Sequence, residues 1–379
     1  MAVAPIPFNR PYATGREFGY IREALDNLHL SGNGPFSARC TAWLEERTGA
    51  ERALLTPSCT AALEMAMLLA DVGPGDEVIL PSFTFVSTAS AVALRGATPV
   101  FVDIRPDTLN VDPERVDAAV TAATRAIVAV HYAGVACDLP ALTRIAADHG
   151  VPLVEDAAQG ILSAHGERAL GAHGQMGCLS FHETKNVGCG EGGALLVNDA
   201  GLIERAEILH EKGTNRSQFF RGQVDKYTWV DLGSSFVASD LSAAFLWAQL
   251  EQAEDITRRR LEVWDAYHDA LEPLERDGLL RRPVLSDECR HNAHMYYVLA
   301  PDGAARDRLI SQLGDRGIQA VFHYVPLHSS PAGLRLGRTA GDLTVTDDVA
   351  GRLARLPLWV GMEPADVVRV TDAVTAAVR

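Results

Sequence analysis

Between residues 51 and 198 the apolar positions fall into short runs: "RALLTPS" (52–58), "EVILPS" (77–82), "TPVFVDI" (98–104), "AIVAVHYAG" (126–134), "PLVEDAA" (152–158), "GCLSFH" (177–182) and "GGALLVN" (192–198). Several are continuous instead of alternating, the pattern of a strand covered on both faces. Between them lie stretches of helical character, "TAALEMAMLLADVG", "STASAVALRG", "DPERVDAAVTAAT" and "LPALTRIAADHG". Closing glycines fit helix C-termini, and "DPERV" offers Asp112 as a cap with Pro113 at the first helical position. Strand and helix in alternation predict an α/β domain on a largely parallel sheet.

The pattern changes after residue 210. "EKGTNRSQFFRGQVDKYTWVDLGSSF" (211–236) is polar, aromatic and irregular, and it reads as a functional loop or lid. Residues 239–274 read as helix, with Ser239 or Asp240 as cap. Beyond them, strands such as "MYYVLA" (295–300) and "AVFHYV" (320–325) mix with helices. The expected organisation is a large domain with an N-terminal arm over residues 1–250 and a smaller C-terminal α+β domain over 251–379.

Composition narrows the function. The 379 residues carry a formal charge of −15, which argues against a nucleic-acid surface and its basic face. No apolar run approaches the roughly 20 residues of a membrane helix, and the first twenty residues lack a signal-peptide layout, so a cytoplasmic protein is expected. The six cysteines form no CxxC pair and read as reduced small hydrophobes. "HNAH" (His291, His294) lacks neighbouring cysteine or carboxylate partners, so no metal is expected. An anionic ligand on so acidic a chain must be held by local cations or helix N-termini.

Ligands of open α/β sheets bind beyond the carboxyl ends of the strands. Four such ends carry unusual residues. "LLTPSCTAALEMA" turns from strand to helix through Ser58, Cys59 and Thr60, where small residues and free amides suit an anion. "PSFTFVST" supplies Phe83 and Phe85, "VEDAAQG" supplies Asp156, and "LSFHETKN" supplies Ser180 and Lys185. Singly, Thr60 reads as a helix cap, Phe85 as core, Asp156 as a cap and Lys185 as a solvated loop cation. Together they describe one ligand, a flat cationic heteroaromatic ring bearing an aldehyde and a phosphate. Pyridoxal phosphate (PLP) fits: a carboxylate for the ring nitrogen, an aromatic face, amides for phosphate, and a lysine that takes the aldehyde as a Schiff base. A nicotinamide dehydrogenase fails the motif test, because "TPSCTAALEM" is no G-x-G-x-x-G and "GCGEGG" precedes a strand; a Walker A loop is absent too.

With "PSCTAALEMA", "PSFTFVST", "VEDAAQG" and "SFHETKN…GEGG" in order, the sequence resembles the DegT/DnrJ/EryC1 family of nucleotide-sugar aminotransferases over nearly its whole length. "RPDTLNVD", "VHYAGVACD" and "HEKGTNRSQFFRGQVDKYTW" are similar to the branch that aminates C4 of dTDP-4-keto-6-deoxyglucose. The resemblance implies the aspartate aminotransferase-like fold type I and a homodimer with the site at its interface. It implies that Lys185 binds the cofactor and shuttles the proton, Asp156 pairs with the pyridine nitrogen, Phe85 stacks on the ring and Gln159 sits near the ring hydroxyl. Thr60, the amide of Ala61, and Ser180 would hold the phosphate. Relatives that perform 3-dehydration carry histidine where this chain has Lys185, which favours transamination. Many members place a cross-dimer asparagine shortly before the next helix; here Val237 stands near that place, so either Ser234, Ser235 or Asn215 substitutes for it or the contact is missing.

Glutamate is the implied donor, pyridoxamine phosphate the form between half-reactions, and the sugar nucleotide the acceptor. Its diphosphate would meet Lys212, Arg216, Arg221 and Lys226 beside Tyr227, and its sugar His323, Tyr324 and His328. A 3-keto-sugar aminotransferase and a non-catalytic PLP-bound regulator are the competing readings.

Overall fold

The computed structural model describes residues 4–379 apart from Asp287. Its strands are, in chain order, β1 (Arg52–Thr56), β2 (Glu77–Pro81), β3 (Thr98–Val102), β4 (Thr124–Val130), β5 (Leu153–Asp156), β6 (Ala164–His165), β7 (Arg168–Ala169), β8 (Met176–Ser180), β9 (Gly193–Val197), β10 (Cys289–Arg290), β11 (Tyr296–Leu299), β12 (Arg338–Thr339) and β13 (Leu353–Leu356). Eight form the central sheet in the order β1-β9-β8-β5-β4-β2-β3-β12. Every neighbouring pair runs parallel except the two that involve β9.

The continuous apolar runs have a physical account in this sheet. Successive side chains of a strand point to opposite faces. Ile79 of β2, Ile127 and Ala129 of β4, and Ala194 and Leu196 of β9 enter one core. Their neighbours Val78, Leu80, Ala126, Val128, Leu195 and Val197 enter the other. Helices Pro35–Thr48, Leu139–His149 and Asp240–Leu250 cover the first face; Cys59–Leu69, Val86–Ala93 and Ile203–His210 cover the second. A strand buried on both sides has no position left for a solvated residue, so its sequence reads apolar throughout. The α/β fold expected from the pattern is present.

A third core gathers Val263, Trp264, Tyr267 and Leu271 of helix Ala253–Arg276, Tyr296 and Val298 of β11, Ala354 and Leu356 of β13, and Val370 and Val374 of helix Pro364–Val378. A fourth cluster, with Phe83, Tyr132, Met295 and Tyr297, includes residues from both halves of the chain. Among the described residues, no helix is long and apolar enough to cross a membrane.

Local expectations fare unevenly. Asp112 caps helix Pro113–Ala119 by accepting the Glu114 amide, and Ser239 caps Asp240–Leu250 by accepting that of Ser242. Asp240 serves another helix: its buried carboxylate accepts the Phe36 and Ser37 amides and the Ser37 hydroxyl at the start of Pro35–Thr48. The helix expected over 239–274 is two, because Glu251 and Gln252 interrupt it. The 211–236 stretch is not wholly irregular, since Arg216–Phe220 forms a short helix. "AVFHYV" is no strand: Val321 makes one isolated bridge to Arg355, and Tyr324 adopts φ +42, outside the extended region.

Candidate active site

A cavity of about 600 Å³ opens beyond the carboxyl ends of β1, β2, β5 and β8, where the chain turns into helices or loops. At the end of β1, Ser58 caps helix Cys59–Leu69, its hydroxyl accepting the Ala61 amide at 3.1 Å. At the end of β2, helix Val86–Ala93 begins, and its Ser87 hydroxyl lies 2.7 Å from that of Thr60. Two helix N-termini therefore meet over one corner, with the hydroxyls of Ser58, Thr60, Ser87 and Ser180 lining it. Partial positive charge at helix N-termini and hydroxyl donors make that corner an anion site. Glycine at 193 is obligatory beside it, because a Cβ there would overlap the backbone of Ser58 and Cys59.

Strand β5 ends on two carboxylates with opposite surroundings. Glu155 faces away from the cavity and is fully satisfied, accepting from His131 Nε2 at 2.8 Å and from the amides of Gly171, His173 and Gly174. Those donors hold its pKa below the usual carboxylate value despite burial. Asp156 lines the cavity and accepts only the Thr88 hydroxyl at 2.7 Å and the Ala158 amide at 3.2 Å. Burial pushes its pKa up, against the pull of Thr88, Ala158 and Lys185. A carboxylate in that condition gains from a cationic partner.

Lys185 reaches the same cavity from the 181–192 loop, its amide bonded to the His182 carbonyl. Burial lowers its pKa; Cys59 and Asp156 act in the opposite sense. A buried amine whose pKa is lowered in this way gives up its proton more readily than that of a solvated lysine. Phe85 is 58% exposed, lines the cavity and does not join a core, contrary to the reading of it as core. Gln159 donates to the Tyr324 hydroxyl at 3.0 Å and accepts the Ala133 amide at 2.6 Å. His323 stacks on Tyr324 with ring centroids 3.6 Å apart, and its Nδ1 lies 2.8 Å from the Tyr132 hydroxyl. Burial, with the Arg355 and Lys185 charges, lowers the His323 pKa well below its usual value, which favours the neutral ring.

Thr60, Phe85, Asp156, Gln159, Ser180, Lys185, His323 and Tyr324 are therefore brought together. Other expected site residues lie elsewhere. Ala61 does not line the cavity, and its amide goes to Ser58. Asn215 Oδ1 accepts the Thr228 amide, while Ser234 and Ser235 are exposed and touch the loop through their backbone. Lys212 and Arg216 sit near Glu211, at 3.9 and 3.8 Å, and Arg221 pairs with Glu207 at 2.7 Å. Tyr227 and Lys226 are exposed, and His328 bonds the Ser82 hydroxyl. His291 packs on Trp264, whereas His294 lines the cavity, with Nδ1 3.1 Å from Asn186 Oδ1.

Sequence reasoning missed Thr88, Ser87, His294, Arg260 and Arg355. The arginines left a trace: Arg355 interrupts the apolar "LARLPL", and Arg260 sits four residues after Ile256 on the buried face of its helix.

A family model described as the DegT/DnrJ/EryC1/StrS aminotransferase family matches residues 11–375. The chain belongs to that family. It is 33% identical to the spore coat polysaccharide biosynthesis protein SpsC of Bacillus subtilis (strain 168), over 99% of this chain and 97% of that protein. Among solved structures, the aminotransferase TlmJ from Streptoalloteichus hindustanus superposes with a TM-score of 0.90 at 33% identity, covering 99% of both chains. DesV of S. venezuelae gives 0.88 at 31% identity, covering both chains in full. This member is a PLP-dependent sugar aminotransferase, and its fold is that of the family's aminotransferases. The cavity fits the cofactor by its own donors: a buried carboxylate short of partners, a buried amine, an exposed phenyl ring and an anion corner where two helices begin.

Proposed function

We propose that the enzyme moves the amino group of L-glutamate to C4 of dTDP-4-keto-6-deoxy-D-glucose, giving 2-oxoglutarate and dTDP-4-amino-4,6-dideoxy-D-galactose or its glucose epimer. It would then be a dTDP-4-amino-4,6-dideoxygalactose transaminase. The observation that carries the reading is the meeting of Lys185 and Asp156 in one cavity behind a hydroxyl-lined anion corner. Support for the C4 branch comes from "RPDTLNVD", "VHYAGVACD" and the 210–229 segment.

When bound, PLP supplies an electron sink for the charge left on a carbon that loses its proton. Lys185 would hold the cofactor at rest, and its freed amine would take the proton from glutamate Cα and deliver one to C4 of the sugar. A desolvated amine suits both roles, since a base near the working pH exchanges protons best. Asp156, oriented by Thr88, would pair with the ring nitrogen and favour its protonated form. Phe85 would stack on the ring, Gln159, which bonds Tyr324, would sit near the ring hydroxyl, and Thr60, Ser180 and the helix N-termini would hold the phosphate. His323 and Tyr324 face the sugar.

The same reading includes a homodimer. Phe220, Tyr227, Trp229, Val230 and Leu232 are exposed together on the 211–232 segment, an apolar patch that a second copy would cover. That contact would bring Lys212, Arg216 and Arg221 toward the partner's cavity, where they would meet the sugar diphosphate. The same reading divides the chain at residues 250 and 251, between the helices Asp240–Leu250 and Ala253–Arg276.

The test is incubation with glutamate and dTDP-4-keto-6-deoxyglucose. The expected outcome is 2-oxoglutarate release and a product with its amine on C4, a small H3–H4 proton coupling marking the galacto form. An amine on C3, or no product, would refute the C4 assignment.

A further inference from the structure

The roles above leave two cavity-lining cations unused, Arg260 and Arg355. Both are largely buried, and neither has a carboxylate within ion-pair distance among the described residues. A buried cation without an anion is costly, and this chain has 49 acidic residues from which a partner could have been drawn.

The two differ in what holds them. Arg260 donates Nε to the Ala293 carbonyl at 3.1 Å and Nη2 to that of His294 at 2.8 Å, which braces the segment leading into Met295 and β11. Arg355, on β13, donates only Nη2, to the Phe322 carbonyl at 3.1 Å. Its guanidinium lies over the Phe8 ring at 4.7 Å, and its Nε–H is buried with no partner among the described residues. It lines the same cavity as Lys185, His294 and His323.

The chemistry of the two substrates then decides what Arg355 receives. An amino acid donor carries a carboxylate on the same carbon as its amine, so that anion must lie near Lys185 while the amine reacts. The keto sugar has no carboxylate, and its phosphates are separated from C4 by the hexose ring. We propose that Arg355 is the carboxylate anchor of the amino donor, with the unpartnered Nε–H and the remaining Nη–H groups forming the fork that a carboxylate fits. Arg260 is a positioning residue behind it. This assignment rests on the reading of the site as one that runs a glutamate half-reaction.

Two readouts on the PLP-loaded enzyme test it: calorimetric titration with glutarate, an unreactive dicarboxylate, and single-turnover absorbance of each half-reaction. Arg355→Gln should weaken glutarate and slow the glutamate half-reaction by about 10- to 100-fold, the effect of losing a charge-assisted pair. Reaction of the pyridoxamine form with the keto sugar should change less than about threefold, and Arg355→Lys should recover part of the loss. Retained cofactor absorbance in both variants establishes that the site has folded. Equal loss in both half-reactions, loss confined to the sugar half-reaction, or unchanged glutarate affinity would each overturn the proposal. If wild-type enzyme reacts with glutamate but not with the keto sugar, the C4 reading fails while the comparison on glutamate still decides Arg355.

Discussion

The Thr88 hydroxyl donates to Asp156 Oδ2 at 2.7 Å, joining the first turn of one helix to the end of the strand beside it. With the Ala158 amide, it is one of two hydrogen bonds described for a carboxylate whose pKa burial has raised. Thr88→Val should raise that pKa further and weaken the pairing with the ring nitrogen. The expected loss in kcat is about 10-fold, near the lower end for a hydrogen bond to a charged group. The acid limb of the pH–rate profile should move to higher pH, because the less stabilised carboxylate protonates sooner as pH falls. Thr88→Ser should restore both.

Asp156 should also penalise the cofactor-free protein. Its folded pKa is raised, so the unfolded chain ionises more readily and the penalty grows as pH rises from the ordinary value of about 3.9 through the folded one. Asp156→Asn should therefore raise the Tm of the apoprotein at pH 7. The gain should vanish toward pH 4. Thermal unfolding across that range checks it, and a lowered Tm at every pH would contradict the argument.

Glu155, one residue away, should behave oppositely. It ties together His131 and three backbone amides in full burial. Glu155→Ala leaves these donors unpaired and should cost about 3–5 kcal/mol, the range for breaking a buried pair. Urea denaturation measures this directly.

The apolar patch on the 211–232 segment gives a prediction about assembly. Light scattering should find a particle of twice the 40.7 kDa chain mass. Trp229, 75% exposed in the single chain, is the most accessible of the large apolar residues in this patch, and Trp229→Glu should yield monomers with the sugar half-reaction impaired.

What the sequence disclosed follows from how local each cause is. Strands β2, β4 and β9 were legible because burial on two faces leaves no polar position, and Ser239 and Asp112 because a cap needs only its next few amides. Asp240 was not, since its partners Phe36 and Ser37 lie some 200 residues away in sequence. The 320–325 stretch has the composition of a strand, yet Tyr324 turns to φ +42 and its hydroxyl accepts from Gln159, a contact no window of neighbours contains. Lys185 and Asp156 were found through strand ends and motif order; Thr88 and Arg355 act through partners that only the fold supplies.

The central claim is that the amine of residue 185 carries the cofactor, and the most direct measurement is borohydride reduction of the PLP-loaded enzyme followed by peptide mapping. A single reduced pyridoxyl adduct on Lys185, absent from Lys185→Ala, is the predicted result. An adduct on Lys212 or Lys226, or none on a protein that still turns over, would contradict it.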